Sequence, residues 1–185
     1  MTYLLIGLLV LWLLFAVFMI LLCLEVGATF IIRSAPEVPS SRRLRDAVAA
    51  EIRKNYPDAK TAIDVGSGWG GMARRVAREF PKMKVTGAEL MPLAFICSWI
   101  ARAVFGPRNC RFVLGDAVKF IKKSKGFDIG ICYSGTGLMR AVAPVKNKFK
   151  IIIALDFPLP DAKPTRTIQL HKDTLGQHVL YVYEK

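Results

Sequence analysis

Residues 60–71 read KTAIDVGSGWGG. Thr61, Ala62, Ile63 and Val65 make a short β-type run that carries an acid, Asp64, near its end. The run breaks into Gly66, Gly68, Gly70 and Gly71, and a helical pattern, MARRVAREF, follows. Strand, glycine turn and helix together open a nucleotide-binding βαβ unit. The glycines let the backbone turn tightly and let a ligand approach bare peptide. The helix N-terminus adds free N–H groups and the positive end of a dipole. Gly66, Gly68 and Gly71 fit G-x-G-x-x-G, the dinucleotide fingerprint, though the same turn also occurs as plain structure. Asp64 separates the readings, because a dinucleotide site needs no charge two residues before its first glycine.

Outward from this turn the chain alternates strands and helices. MKVTGAE, 83–89, makes a second strand ending in Glu89. An acid at the tip of the second parallel strand can accept from both hydroxyls of a ribose, or it can simply sit at a helix N-terminus. Pro92 opens a helix to about Phe105, closed by Gly106-Pro107. RFVLGDA, 111–117, is a third strand, and Asp116 is placed to cap a helix over 117–124. FDIGICY, 127–133, is the fourth strand; it runs into Ser134-Gly135-Thr136-Gly137 and a short helix LMRAVAPVKN. KIIIALD, 150–156, is continuous and apolar, so it is expected to be buried on both faces. Pro158, Pro160 and Pro164 then exclude a helix. TRTIQLHK and HVLYVYE, joined by DTLGQ, alternate as a hairpin. The expected fold is α/β: a Rossmann-like sheet of five βα-type strands closed by a C-terminal antiparallel pair.

The N-terminal part is of another kind. Tyr3 to Leu24 holds no charged side chain. As a helix it reaches about 33 Å, enough for the hydrocarbon core of a bilayer. A signal peptide should have a basic start, a shorter apolar core and a small-residue cleavage site, and this segment has no Lys or Arg before it. The expectation is one transmembrane anchor over 1–32. Arg33, Arg42, Arg43 and Arg45 follow it, so the remaining domain is placed on the cytoplasmic side of a bacterial or organelle inner membrane. Glu25 falls at the interface. Residues 33–59 read as linker and first helix: Pro36 and Pro39 keep SAPEVPSS extended, and Ser40 or Ser41 caps a helix over about 42–55 with Leu44, Val48 and Ile52 on one face. Residues 60–185 are expected to form the α/β domain that carries the glycine turn.

The 185 residues carry a formal charge of +13. With only Glu25 charged before Arg33, the rest holds about +14. That excess favours anionic partners: membrane lipid, nucleic acid or an acidic protein face. Cys23, Cys97, Cys110 and Cys132 are widely spaced, which indicates neither a zinc site nor a disulfide framework; Cys97 and Cys132 read as small core residues. His171 and His178 flank the hairpin turn without an acid at ligand spacing and are expected at the surface or an edge. No metal is expected. Trp69 either covers a ligand or packs the loop.

The run D-x-G-x-G-x-G from Asp64 resembles the first motif of class I S-adenosylmethionine (SAM) methyltransferases, which have a seven-stranded sheet. The resemblance implies SAM as cofactor. It implies that Asp64, Gly66, Ser67, Gly68, Trp69 and Gly70 hold its amino-acid part and that Glu89 and Leu90 hold the ribose. It also implies that Asp116 bonds the adenine amino group, with backbone contacts from Ala117. A narrower likeness is to short anchored methyltransferases that modify lysine on the adenine nucleotide translocase or the ATP synthase c subunit. The matching features are the N-terminal apolar helix, Val38-Pro39-Ser40, Asp64 to Gly68, Glu89-Leu90 with Pro92, the helix ending in Arg102, Asp116, and Phe157-Pro158 with Pro160. Three positions differ. That family usually has Asp-Gly-Arg where this chain has Trp69-Gly70-Gly71, and Asn where Met91 stands. Its F-G-V-P-type stretch is replaced by Tyr133 to Gly137, which lines the acceptor side.

Methyl transfer from a sulfonium chiefly requires positioning of two reactants. A lysine acceptor must be neutral, and a dry pocket lowers its pKa. Tyr133, Ser134, Ser40 and Asp156 are candidates to orient the amine. The leading expectation is lysine methylation on a membrane protein; a lipid head group or lipophilic small molecule is the alternative acceptor. Nucleic acid ranks lower, because no N-P-P-Y-type motif follows the fourth strand and no aromatic-basic ladder is present. A non-catalytic nucleoside-binding membrane adaptor is the reading from another class.

Overall fold

The computed structural model describes residues 2–33, 39–173 and 176–185. Pro36, Val38, the side chain of Glu25, and Thr174 and Leu175 of the expected hairpin connection lie outside the described residues. The chain divides into two compact units, Met1–Glu37 and Val38–Lys185.

The first unit is α1, Thr2–Arg33. Over Thr2–Leu24 it is long and apolar enough to cross a membrane, and none of that stretch is buried. A helix apolar on every side is suited to a protein interior or to lipid.

The second unit begins with α2, Arg42–Asn55. Ser41 is the cap, accepting from Leu44 N–H at 3.3 Å. Leu44, Val48 and Ile52 fall on one stripe and are buried. Then come β1 Thr61–Val65, α3 Gly71–Glu79, β2 Lys84–Glu89, α4 Pro92–Phe105, β3 Cys110–Leu114, α5 Ala117–Lys123, β4 Phe127–Cys132, α6 Thr136–Val142, a 3-10 turn Ala143–Lys148, β5 Phe149–Leu155, β6 Arg166–Asp173 and β7 Gly176–Glu184. The seven strands lie in the order β3-β2-β1-β4-β5-β7-β6. Strands β1 to β5 pair in parallel, and β7 is antiparallel to both β5 and β6. The expected fold is therefore the observed one.

Local boundaries differ where single residues decide them. The third strand stops at Leu114 because Gly115 takes φ +136° and Asp116 turns to cap α5. The helix expected over LMRAVAPVKN splits into α6 and the 3-10 turn at Pro144, which has no N–H to continue an α-helical ladder. No helix occupies the proline-rich stretch after β5. Leu159 and Phe157 from that stretch pack on the sheet in its place.

Two cores sandwich the sheet. One joins α2 and α3 to the strands through Leu44, Val48, Ile52, Met72, Val76, Val85 and Phe112. The other lies under α5, α6 and the 3-10 turn, through Ile63, Val65, Ile121, Val142 and Ile152. β5 is buried from Ile152 to Leu155, as its continuous apolar run requires.

Candidate functional site

Parallel pairing brings five strand ends into one row. Val65 lies opposite Ala88 and Cys132, Glu89 opposite Leu114, and Cys132 opposite Ala154. The row therefore carries the glycine loop, Glu89, Gly115, Tyr133 and Asp156 at successive spacings of about 4.8 Å. The strand order reverses between β1 and β4. In open α/β sheets the ligand crevice lies at such a switch, beyond the carboxyl ends of the strands.

The loop after β1 is held from both sides. Gly66, Gly68 and Gly70 take positive φ of 73°, 50° and 70°. Gly70 is also sterically forced, because a Cβ there would collide with the Phe112 ring and lie 2.9 Å from Ser98 Cβ. Gly66 and Ser67 N–H both donate to Ala88 O at 3.0 Å. Glu89 is fully buried and joins loop to helix. Its Oε2 accepts from Gly68 N–H at 2.6 Å, and its Oε1 accepts from Leu90 and Met91 N–H at 2.7 and 2.9 Å. Trp69 and Leu90 are half-buried at the loop and helix edge.

Asp64 is buried under the first turn of α3, accepting from Ala73 N–H at 3.1 Å. Burial raises its carboxyl from the ordinary 3.8 to about 7; the Ala73 hydrogen bond opposes this and the Glu89 carboxylate adds to it. Ser67 Oγ is buried with no hydrogen-bond partner among the described residues. An under-compensated buried acid and an orphaned hydroxyl beside a bare peptide loop fit a ligand with a cationic group and hydrogen-bonding atoms.

A cationic corner adjoins this loop, and the sequence reading missed it. A Cβ on Gly71 would lie 2.7 Å from Arg45 Nη1, so the α2 guanidinium reaches the N-terminus of α3. Arg45 Nε donates to Ser41 O at 3.3 Å, and Arg74 Nη1 to Trp69 O at 2.9 Å. Burial lowers the Arg74 pKa, and the charges of Arg78 and Arg45 depress it further. Two guanidiniums at a helix N-terminus favour a carboxylate or phosphate. Helix period alone could not reveal this, because it places Arg45 simply on the polar side of α2.

The remaining candidates fall as follows. Asp116 caps α5, its Oδ1 accepting from Val118 and Lys119 N–H at 2.8 and 3.1 Å, and Ala117 is buried behind it. Tyr133 and Ser134 follow β4 and are half-buried. Ser40 precedes the cap of α2, at the helix end that brings Arg45 to the loop. Asp156 ends β5 with φ +63°. Its Oδ1 accepts from Val179 N–H at 2.9 Å, and its Oδ2 lies 2.8 Å from His178 Nδ1.

That last contact corrects the expectation for His178, while His171 lies on the edge strand β6 as expected. His178 is buried, not an edge residue, and its ring lies 5.3 Å from that of His171. The acid sits 22 positions away in sequence and arrives only through β5–β7 pairing. Cys132 is buried as expected, while Cys97 is only half-buried on α4. Burial pushes the Cys132 thiol up to about 12 and Cys110 to about 11, which leaves neither a ready nucleophile.

No family model and no curated protein sequence matches the chain. Solved structures do match. An RNA methyltransferase from Salinibacter ruber, in complex with S-adenosyl-L-homocysteine, superposes with a TM-score of 0.63 over 80% of this chain and 93% of its own, at 19% identity. The precorrin-6y C5,15-methyltransferase of Geobacter metallireducens gives 0.63 over 82% and 92%, at 12% identity. The fold is that of the class I methyltransferases. TrmK of M. capricolum, in complex with S-adenosyl-homocysteine, shares this methyltransferase fold at a TM-score of 0.61 over 75% and 67% of the chains, with 11% identity. At such identities the likeness carries the architecture alone.

Proposed function

We propose that this chain is a membrane-anchored, SAM-dependent methyltransferase whose acceptor is a lysine of a membrane protein. The observation that carries the enzyme reading is the pair of buried carboxylates, Asp64 and Glu89, on neighbouring strand tips around the glycine loop. The methyltransferase fold and the two neighbours crystallised with S-adenosyl-homocysteine support it. The anchor reading rests on Thr2–Leu24, with the catalytic unit on the cytoplasmic side by the positive-inside rule. The lysine reading rests on the E-L-x-P and F-P-x-P likenesses at Glu89 and Phe157.

Bound SAM supplies an electrophilic methyl group on a sulfonium. In this reading Asp64, once ionised, attracts the ammonium group, and Arg45 with the α3 N-terminus takes the carboxylate. Glu89, whose Oε1 already accepts two backbone N–H groups, would accept from a ribose hydroxyl through Oε2, and Asp116 with Ala117 would meet the adenine. Tyr133, Ser134 and Asp156 line the neighbouring strand ends where an amine can be oriented and kept from water, with Ser40 at the near end of α2. A neutral amine is favoured there, because a buried ammonium loses its hydration.

Incubating the full chain in native membranes with methyl-labelled SAM tests this. Label in protein, mapped to lysine by mass, is the expected result. Label in the lipid extract would replace lysine with a head group, the second reading that an anchored enzyme favours. Label in RNA would move the chain toward the activity of its RNA-modifying neighbours. SAM bound without transfer would leave the nucleoside-binding adaptor, and absence of SAM binding by calorimetry would remove the enzyme reading.

A further inference from the structure

α4 is turned the wrong way round for a soluble domain. Of its 14 residues only Ala94 and Ser98 are buried. Trp99, Val104 and Phe105 are 54%, 62% and 77% exposed, and Ile96 and Ile100 stand outward with them. Leu114, at the end of the neighbouring edge strand β3, adds to this surface. The helix contains no acid. Its one charge, Arg102, folds back: Nε donates to Cys110 O at 3.0 Å and Nη2 to Arg108 O at 3.4 Å. Arg78 Nη2 donates to Phe105 O at 2.8 Å, so Arg78, Arg102 and the exposed Arg108 ring the Phe105 end.

We infer that the outward face of α4 is a bilayer-docking surface that lies in the head-group region of an anionic membrane. An apolar stripe with a tryptophan and a rim of arginines is the pattern of an interfacial helix. The charge of +13 suits anionic lipid. The inference rests on the anchored reading: residues 34–41 span at most about 28 Å of chain, so an anchored chain keeps the second unit within reach of the bilayer. That tether permits contact by any face, and the side chains of α4 select which. Because α4 begins just after Glu89, docking would set the cofactor row close to the membrane surface, where a membrane-embedded acceptor is presented.

The test uses the full chain reconstituted into vesicles of phosphatidylcholine and phosphatidylglycerol with brominated acyl chains. The chain has three tryptophans, Trp12, Trp69 and Trp99. Trp69→Phe combined with Trp12→Phe leaves Trp99 as reporter of α4, and Trp69→Phe combined with Trp99→Phe leaves Trp12 as reporter of the anchor. Trp99 should lose roughly half its emission to bromines placed high on the chains, and Ile96→Asp with Ile100→Asp should restore it, while Trp12, near the middle of the apolar span, stays quenched by bromines placed deep on the chains. Quenched Trp12 beside unquenched Trp99 overturns the docking surface and leaves the anchor intact. Unquenched Trp12 removes the anchor, and Trp99 then decides the surface by itself: docking stands if it is quenched and falls if it is not. Unquenched Trp99 in chains that cross-link through α4 assigns the face to a second copy instead and overturns the inference.

Discussion

α2 and α4 are helices of 14 residues packed on the same side of the sheet, yet they divide their residues in opposite ways. α2 turns Leu44, Val48 and Ile52 inward and Arg42, Arg43 and Arg53 outward, and it buries one acid, Glu51, against Arg166 at 2.7 Å. α4 turns Ala94 and Ser98 inward with Phe95 half-buried against the core, and leaves Ile96, Trp99, Ile100, Val104 and Phe105 outside. The sheet explains part of the difference. Phe112 lies across Gly70 and Gly87 and already fills the space beneath α4, so only a residue as small as Ser98 fits there. The lesson is that apolar periodicity marks a face and does not say what covers it.

The sharpest break between the two helices is in stability. Ile52→Asp places a charge in the α2 core and should destabilise the unit by about 4 kcal/mol or more. Ile100→Asp on α4 should stay within about 0.5 kcal/mol in detergent. Denaturant titration of both variants checks the contrast, and equal losses would show that α4 is covered.

A second test concerns buried acids, which α2 pairs and β1 does not. The folded chain holds a proton on Asp64 more tightly than the unfolded chain, whose carboxyl keeps its ordinary value. Stability without cofactor should therefore fall as pH rises from about 4 to about 7, by up to roughly 4 kcal/mol. Asp64→Asn should flatten that slope and leave the chain more stable at neutral pH. SAM affinity should rise over the same window as the carboxylate ionises, and in Asp64→Asn it should be weak at every pH. Melting curves and calorimetry across pH read both effects.

Ser98→Leu probes the narrow gap under α4. It should lower stability by about 1–3 kcal/mol and weaken SAM binding, because Phe112 would be driven toward Gly70. Unchanged affinity would separate that ring from the loop. The smallest effect on cofactor binding is expected where α2 reaches the site. Arg45→Ala should weaken SAM about tenfold, near 1.4 kcal/mol, and leave adenosine, which lacks the carboxylate, nearly unchanged. Equal losses for both ligands would move Arg45 away from the amino-acid end.

Much of this architecture is legible along the chain because its signals are local. Asp64 and the glycines mark a strand and a turn, Pro92 and Gly106 bracket α4 at its observed limits, and the prolines after β5 forbid a helix. Glu89 is readable because the tip of a second parallel strand has a fixed place beside the first. Other features are not readable in this way. Arg45 reaches the loop by helix packing, and His178 meets Asp156 by strand pairing across 22 positions. Spacing favoured neither contact.

The sequence by itself determined the order of elements, the apolar N-terminal span and the two carboxylates, since each follows from residue type at short range. Tertiary structure alone decided which side chains converge at the strand ends, which buried acid has a cation and which apolar face stays bare. Those outcomes depend on how separate elements fill one another's space, and no period along a single element encodes its neighbour.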